Sequence, residues 1–334
     1  MYHEEYQTVW KENKVIDLHN DLLSYLVASP SHSPHDSATR SSIEQLQAGG
    51  VGILVVVAFS QTRRKSEYQL ARQSALYTAL HQRYSEHFCP LKERVDGKIA
   101  TCCAIENCST FLGETEPFER GLRRLKKVFS TGISPLYVSL TWNQENRCGG
   151  GALSTAGLKD DGRRVLDAIR GHVTAVDLSH ASDQLACDIL TYLDETKSPL
   201  QVMASHSNFR SVTDVPRNIP DEFAQEIVRR GGVIGLTAIR RFIGPTVDHY
   251  YRHVEHALAQ GFGSALAIGA DFFVVPGLAS DILKSFYKEH FFPELSDSSC
   301  LRALLEEVGR RFGAEVQQGI AWKNSWEKLL VKAL

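Results

Sequence analysis

The feature that most constrains the fold of this chain is a regular alternation of short apolar runs with segments of helical periodicity. Eight apolar runs occur, at residues 15–17, 51–59, 98–104, 136–140, 173–178, 200–204, 233–237 and 265–268. The intervening segments include "DEFAQEIVRRGG", which ends on the glycine pair typical of a helix terminus. Such alternation predicts an α/β fold with a parallel sheet, and eight units predict a closed (β/α)8 TIM barrel over residues 1–334. No Gly-rich phosphate-binding turn supports a doubly wound sheet instead.

The composition argues against several classes of partner. A net charge of −2 over 334 residues gives no basic surface of the kind that binds nucleic acid. No apolar run approaches the roughly 20 residues of a membrane span, and the polar first residues lack a signal peptide's apolar segment. Seven cysteines, an odd number without CxxC spacing, suit a reducing compartment. We therefore expect a cytoplasmic protein that binds neither nucleic acid nor membrane.

Polar residues that can bind metal lie at the ends of five of the predicted strands. They are His19, Asp21, Glu106, His180, His206 and Asp271. A single histidine there is usually a hydrogen-bonded structural residue, and a single carboxylate is often a helix N-cap. In a barrel, however, the carboxyl ends of all strands meet at one mouth, where barrel enzymes place their chemistry. Three imidazoles and three carboxylates at that mouth predict a metal site.

The number of these residues favours two metal ions over one. Asp271 aside, the five candidate ligands are too many for one tetrahedral catalytic zinc that also keeps an open position. Two ions that share a carboxylate and a water would use all five, and Glu106 comes from the strand between the two groups. Imidazole and carboxylate ligands suit zinc first, with manganese, cobalt or iron as substitutes. Asp17, expected on the same strand face as His19, either orients that ring or is a structural carboxylate.

The motifs around these residues resemble those of the membrane (renal) dipeptidase family, metallopeptidases with a two-zinc site on an amidohydrolase-type (metallo-dependent hydrolase) barrel. The matching stretches are "VIDLHNDLL", "AIEN", "VSLTWN", "AGLKDDGRRVLDAI", "AVDLSHAS", "ASHSNFRSVTDVPRNIPDE", "GGVIGL" and "IGADF". They extend from about residue 14 to 275, and the C-terminal "GIAWKNSWEKLL" is similar to the family's end more faintly. The form "LTWN" looks more like a bacterial branch than like the animal surface enzymes.

The resemblance implies a metal-binding role for five residues. It assigns His19 and Asp21 to one zinc. It assigns His180 and His206 to the other, with Glu106 as the ligand that bridges both ions. We count Glu106 among the catalytic residues as well, because the bridged pair of ions would activate the water that attacks the substrate.

The resemblance also implies roles for two residues that face the substrate. It makes Asp271 the catalytic acid and base, which also faces the substrate amino group. It makes Arg217, in "VPRNIP", the residue that binds the substrate's C-terminal carboxylate. An arginine fork suits bidentate binding of a carboxylate, whereas a lone loop arginine would otherwise be interpreted as a solvated surface residue.

Three features depart from the family pattern. The animal enzymes have a histidine after "LT" that is thought to steady the tetrahedral intermediate, and this chain has Trp142 there. That stabilisation is left to a zinc ion or to Asn143, so both residues are candidates for the substrate site. The usual "DFDG" is here "DFFV", with Phe273 replacing a carboxylate. The loop "ENRCGGGALS" either shapes the substrate pocket or is flexible filler.

These observations predict a zinc-dependent dipeptidase, in which a water activated by two ions attacks the peptide bond of a small dipeptide substrate. One alternative is hydrolysis of another amide, such as an N-acyl amino acid or a β-lactam, at the same two-metal site. A second is a catalytically silent barrel, for which Trp142 and Phe273 are the best support. The sequence leaves open the oligomeric state, a homodimer included, and the L/D preference for the substrate.

Overall fold

The computed structural model describes residues 14–274 and 290–334, and a parallel barrel forms its centre. The strands are β1 (Val15–Asn20), β2 (Val51–Phe59), β3 (Phe88–Pro90), β4 (Ile99–Glu106), β5 (Tyr137–Ser139), β6 (Ala175–Asp177), β7 (Gln201–Met203), β8 (Ile234–Leu236) and β9 (Leu266–Ile268). Their order is β7-β6-β5-β4-β2-β1-β9-β8, and short β3 pairs with β4 outside this path. A parallel bridge between Ala204 and Ile234 joins the two ends, so eight strands form a nearly closed barrel. The predicted (β/α)8 fold is confirmed.

Helices surround the barrel, and most of them bury an apolar stripe on the side that faces the strands. They are α1 (Leu22–Ala28), α2 (Ile43–Ala48), α3 (Gln69–Arg83), α4 (Phe118–Ser130), α5 (Asp160–Ile169), α6 (Asp183–Glu195), α7 (Asp221–Arg229), α8 (Arg240–Ile243), α9 (Asp248–Ala259), α10 (Leu301–Phe312), α11 (Ala314–Gln318) and α12 (Asn324–Lys328). In α4, for example, the buried residues Phe118, Leu125 and Val128 recur at helical spacing. Within residues 14–274 and 290–334, none of these helices has the length and apolar character needed to span a membrane.

The C-terminal segment closes the end of the barrel where the strands begin. Trp326, Leu329 and Leu330 are buried in one cluster with Ile16 and Ala100, which lie near the starts of β1 and β4. Each fully buried leucine in such a cluster contributes about 1.5–3 kcal/mol. The faint C-terminal similarity noted in the sequence therefore corresponds to a segment that packs against the barrel core.

Strand β1 is irregular in the stretch that contains the candidate metal ligand His19. Its register to β2 shifts between Asp17 and Asn20, so it contains one more residue than its partner strand over this stretch. Asp17 Oδ1 accepts hydrogen bonds from the backbone N–H groups of His19 (3.2 Å) and Ala270 (2.9 Å). Asp17 therefore ties β1 to the segment after β9, which supports the structural interpretation of this carboxylate.

Candidate active site

The six strand-end residues lie together at the mouth of the barrel. His19 is the penultimate residue of β1, and Glu106 is the last residue of β4. The other four residues lie in the turns that follow β1, β6, β7 and β9: Asp21, His180, His206 and Asp271. His19 and His206 are fully buried, and only Asp21 is partly exposed. Asp21 occupies the N-cap position of α1, yet its side chain makes no capping hydrogen bond.

Glu106 lies at the centre of this cluster and faces different histidines with its two oxygens. Its Oε1 lies 3.0 Å from His180 Nε2 and 3.8 Å from His206 Nε2. Its Oε2 lies 3.5 Å from His19 Nε2. Ligand atoms converge within 4.8 Å of one another in three overlapping groups, two of which share Glu106: one with His180 and His206, the other with His19 and Asp21. These two groups contain the same residues that the sequence assigned to two metal ions.

Hydrogen bonds to the far nitrogen of two of the three imidazoles fix the direction in which each of these rings points. His19 Nδ1 lies 2.8 Å from the hydroxyl of Tyr137, which itself donates to the carbonyl of Leu18. Because that hydroxyl has one proton, it accepts from His19 Nδ1–H. His180 Nδ1–H donates to Asn143 Oδ1 at 2.8 Å. In both rings the Nε2 lone pair is left facing the cluster.

Two observations indicate that a metal ion fits among these atoms. His19 Nε2 and Asp21 Oδ1 are buried and have no hydrogen-bond partner in the described part of the chain. The Nε2 atoms of His180 and His206 lie 2.9 Å apart, close enough for one cation or one proton to lie between them. Imidazole nitrogens and carboxylate oxygens are the donors that zinc and related divalent ions prefer.

Burial disfavours the charged forms of three carboxyl groups and two imidazoles in this cluster. It raises the pKa of Glu106 to about 8 and, together with the negative charge of Glu106, raises the pKa of Asp21 to about 7. Burial also raises the pKa of Asp271 well above its usual range. Burial and nearby positive charge lower the pKa values of His180 and His206 far below the usual value. A bound divalent cation would reverse the effect on the carboxylates and keep the imidazoles neutral.

Metal-free protein is expected to lose stability as the pH rises from about 6.5 to 8.5. The pKa values of Asp21 and Glu106 are about 7 and about 8 in the folded state, whereas such groups titrate near pH ~4 in unfolded chains. The folded state therefore binds more protons in this window, and its free energy of unfolding falls on the order of 1–3 kcal/mol as they dissociate. The lowered histidine pKa values affect stability only below about pH 6.5.

Calorimetry of chelator-treated protein at both pH values measures this change. Metal-loaded protein is the control and should lack the decrease, because the metal keeps the carboxylates ionised throughout the window. A melting temperature of the metal-free protein that does not change with pH would contradict the burial of these carboxyl groups in neutral form.

The Gly-rich loop is a packed element that supports the turn containing His180. Gly149, Gly150 and Gly151 are buried, and a Cβ added to Gly151 would lie 1.8 Å from the carbonyl oxygen of Trp142. Gly151 forms an antiparallel bridge with Ala181, next to His180 in the chain. The close approach of the backbone argues against flexible filler, and a role in shaping the substrate pocket stays a prediction.

Trp142 and Asn143 both lie beside His180, but in different ways. The partly exposed ring of Trp142 is 5.9 Å from the ring of His180 and 5.4 Å from that of Phe59, so it forms an aromatic wall at the mouth. Asn143 uses its side-chain oxygen to orient the imidazole. Phe273 contacts the ring of Phe291 at 5.5 Å and is partly buried.

Arg217 is buried beside the cluster and is not a solvated surface residue. Its Nη1 donates to Ser207 Oγ and its Nη2 to the carbonyl of His206, both at 2.8 Å. Its Nε is buried without a hydrogen-bond partner in the described structure. A pocket next to His180 is lined by Ser207, Arg217 and Arg210, and Arg210 is already paired with Asp183. Arg217 is thus the arginine of this pocket that retains an unsatisfied donor.

Sequence reasoning missed Asp177, Ser205 and Tyr137. Asp177 and Ser205 are buried next to the metal cluster and form a hydrogen-bonded chain that ends at His206, whereas Tyr137 binds His19. One signal was present in the sequence, because Asp177 is an acidic residue at the end of an otherwise apolar run. Ser205 and Tyr137 carried no such signal.

Two of the six site residues have strained backbones. His180 has a φ of 65° and Asp271 a φ of 58°, a region that residues other than glycine rarely occupy. The hydroxyl of Thr141 donates to the carbonyl of His180 at 3.3 Å, and the backbone N–H of Asp271 donates to the carbonyl of His19 at 3.2 Å. Such strain is typical of functional sites, where the surrounding structure holds the residue in place.

The chain is similar in sequence to proteins described as dipeptidases. A dipeptidase of Schizosaccharomyces pombe is 28% identical over 195 residues, which cover 55% of this chain and 44% of that protein. Rat dipeptidase 3 is 26% identical, covering 96% of this chain and 65% of its own. The chain thus spans less than two thirds of the length of these relatives.

A solved structure has the same fold. The metallopeptidase from Rhodobacter sphaeroides, bound to a phosphinate mimic of the dipeptide L-Ala-D-Ala, superimposes with a TM-score of 0.78. The two chains are 16% identical, and the match covers 96% of this chain and 99% of that one. Residues 3–328 match the family model described as membrane dipeptidase, peptidase family M19. With that match over nearly the whole sequence, the chain belongs to the membrane dipeptidase family of metallopeptidases.

Proposed function

We propose that the protein is a dipeptidase that uses two zinc ions to hydrolyse the peptide bond of dipeptides at the barrel mouth. The position of Glu106 carries the proposal, because its two oxygens face His180 and His19 from one buried carboxylate. A carboxylate shared by two groups of ligands suits a pair of ions. Membership of the dipeptidase family supports the choice of substrate.

The residues of the cluster would divide the metal ligands between two ions. His19 and Asp21 would hold one ion, His180 and His206 the other, and Glu106 both. The choice of zinc rests on the imidazole and carboxylate donors, and manganese, cobalt or iron could replace it. When bound, the metal polarises the scissile carbonyl and lowers the pKa of the attacking water.

Asp271 and Arg217 would act on the substrate. Asp271 Oδ1 lies 3.7 Å from His19 Nε2 and its Oδ2 lies 3.9 Å from His206 Nε2, so the carboxylate reaches the centre of the cluster. There it would accept the proton of the attacking water and deliver it to the leaving amine. Arg217 would bind the C-terminal carboxylate of the dipeptide, with Trp142 forming one wall of the substrate site.

We also propose a cytoplasmic location. All seven cysteines are free thiols, and five of them are buried. Free thiols in odd number are typical of proteins from reducing compartments.

Protein prepared without chelator is expected to contain about two divalent ions per chain. Zinc added to chelator-treated protein should restore hydrolysis of some L,L- or L,D-dipeptides in a substrate panel. Elemental analysis and release of free amino acids measure the two results. A limit of one ion per fully loaded chain would remove the bridging role of Glu106. Turnover of N-acyl amino acids or β-lactams without turnover of any dipeptide would favour another amide hydrolase, and inactivity of the fully loaded protein on the whole panel would favour a silent barrel.

A further inference from the structure

We propose that Asp177, acting through Ser205, holds the His206 imidazole with its proton on Nδ1 and its Nε2 lone pair facing the metal centre. Asp177 is then a positioning residue for a metal ligand that it does not touch. The functional role of this arrangement rests on the proposed metal centre. The hydrogen bonds among Asp177, Ser205 and His206 do not depend on that proposal.

The carboxylate of Asp177 is buried and held in a fixed orientation. Its Oδ1 accepts the backbone N–H groups of Ser179 (2.9 Å) and Ser205 (2.8 Å). Its Oδ2 accepts the hydroxyl of Ser205 at 2.6 Å. The residue is 1% exposed, so water does not compete for these bonds. Burial raises the pKa of Asp177, and the three donors directed at its two oxygens oppose that effect by favouring the ionised form.

The single hydroxyl proton of Ser205 determines which atoms donate in the series of hydrogen bonds from His206 to Asp177. A carboxylate oxygen at 2.6 Å is its strongest acceptor, so this proton points to Asp177. The Ser205 oxygen must then accept from its other close neighbour, His206 Nδ1, at 2.7 Å. With the proton on Nδ1, Nε2 has a free lone pair, and this atom lies 2.9 Å from His180 Nε2 inside the cluster.

The backbone carbonyl of Ser205 packs against two glycines, Gly235 in β8 and Gly269 just after β9. A Cβ added to Gly235 would lie 2.0 Å from the carbonyl oxygen of Ser205, and one added to Gly269 would lie 1.9 Å from it. Only glycine permits this approach, and the tight packing around the Ser205 carbonyl limits movement of this residue. The serine is therefore a rigid link between Asp177 and His206.

The three imidazoles of the cluster differ in the hydrogen-bond partner of their Nδ1 atom. A tyrosine hydroxyl accepts from His19 and an amide oxygen from His180. Among these three rings, His206 has the shortest link to a carboxylate, because its Nδ1 lies 2.7 Å from the Ser205 hydroxyl that binds Asp177. His19 Nδ1 lies 3.4 Å from that hydroxyl and is closer to Tyr137, at 2.8 Å. Negative charge behind a ligating imidazole raises its basicity and its affinity for metal.

The variant Asp177→Asn tests these hydrogen bonds, because it keeps the shape of the side chain and reverses the direction of the bond to Ser205. The amide oxygen can still accept the two backbone N–H groups, but the amide nitrogen now donates to Ser205 Oγ. The serine proton then turns to His206 Nδ1, and the imidazole proton moves to Nε2, where it blocks metal binding. We expect zinc affinity to fall by about 10- to 100-fold, measured by competition with a chromophoric chelator.

Nitrogen NMR of metal-free protein gives a readout that is independent of activity. His206 should be protonated on Nδ1 in the wild type and on Nε2 in Asp177→Asn. Asp17→Asn is the matched control, because Asp17 is also a buried carboxylate that accepts two backbone N–H groups. We expect it to leave the His206 tautomer unchanged and zinc affinity within about threefold of wild type.

The outcomes separate this inference from the proposed function. A wild-type His206 protonated on Nε2, or a tautomer and affinity unaffected by Asp177→Asn, would overturn the positioning role. Should Asp177→Asn fail to fold, Ser205→Ala removes the link with a smaller change in volume and must also weaken zinc binding by about 10-fold or more. If wild-type protein binds no zinc, the proposed function fails. The His206 tautomer still decides whether Asp177 orients that imidazole through Ser205.

Discussion

Replacing Glu106 by Gln is expected to lower kcat/KM on dipeptides by about 1000-fold or more, because several kcal/mol of metal-assisted catalysis are lost. The carboxylate faces His180 Nε2 at 3.0 Å with one oxygen and His19 Nε2 at 3.5 Å with the other. An amide of the same shape has only one acceptor oxygen and directs an NH₂ group at the other side. It also removes the negative charge that both ions would share, so both sites should lose metal.

Metal analysis and kinetics on the same sample test this prediction. Glu114→Gln is the matched control, because Glu114 follows the same strand but hydrogen-bonds Ser109 and belongs to none of the ligand groups found in the described residues. It should retain both ions and activity within about threefold, as is usual for substitutions away from a site. His206→Ala should mainly empty one site. Two ions retained in Glu106→Gln, with activity near wild type, would exclude a bridging carboxylate.

The strand–helix alternation predicted the barrel because parallel strands with apolar faces can be buried only under helices. Boundaries were less accurate where polar residues continue a strand. The run 15–17 extends to Asn20 and the run 98–104 extends to Glu106, so His19 and Glu106 lie within strands rather than after them. Backbone hydrogen bonds to neighbouring strands, which apolar periodicity does not report, extend these elements.

The convergence of the six candidate residues was predictable because the fold brings every strand end to the same mouth. The irregularity of β1 was not, since a shift of one residue in register leaves no trace in composition. The hydrogen bonds of Asn143 and Asp177 were also beyond sequence reasoning. They join residues 37 and 28 positions apart, and their meaning depends on which atom of each side chain faces which neighbour.

Arg217→Ala is expected to lower kcat/KM on dipeptides by roughly 30- to 1000-fold while sparing dipeptide amides. A buried bidentate contact between guanidinium and carboxylate contributes on the order of 2–4 kcal/mol. An amide substrate has no carboxylate for Arg217 to bind, so it loses far less. Arg217 also donates to the carbonyl of His206. Metal content must therefore be measured to distinguish loss of the contact with the substrate carboxylate from displacement of His206.

Asp271→Asn should behave differently, because every amide substrate needs the same proton transfer. Its cost should be at least about 100-fold on dipeptide and dipeptide amide alike, chiefly in kcat. The buried carboxyl of Asp271 lies within 4 Å of two histidines, so metal content again distinguishes lost proton transfer from lost zinc. Comparing the two variants on the two substrates gives a decisive pattern. If Arg217→Ala harms the dipeptide and its amide equally, Arg217 does not select a free carboxylate, and a broader amide hydrolase explains the site better than a dipeptidase.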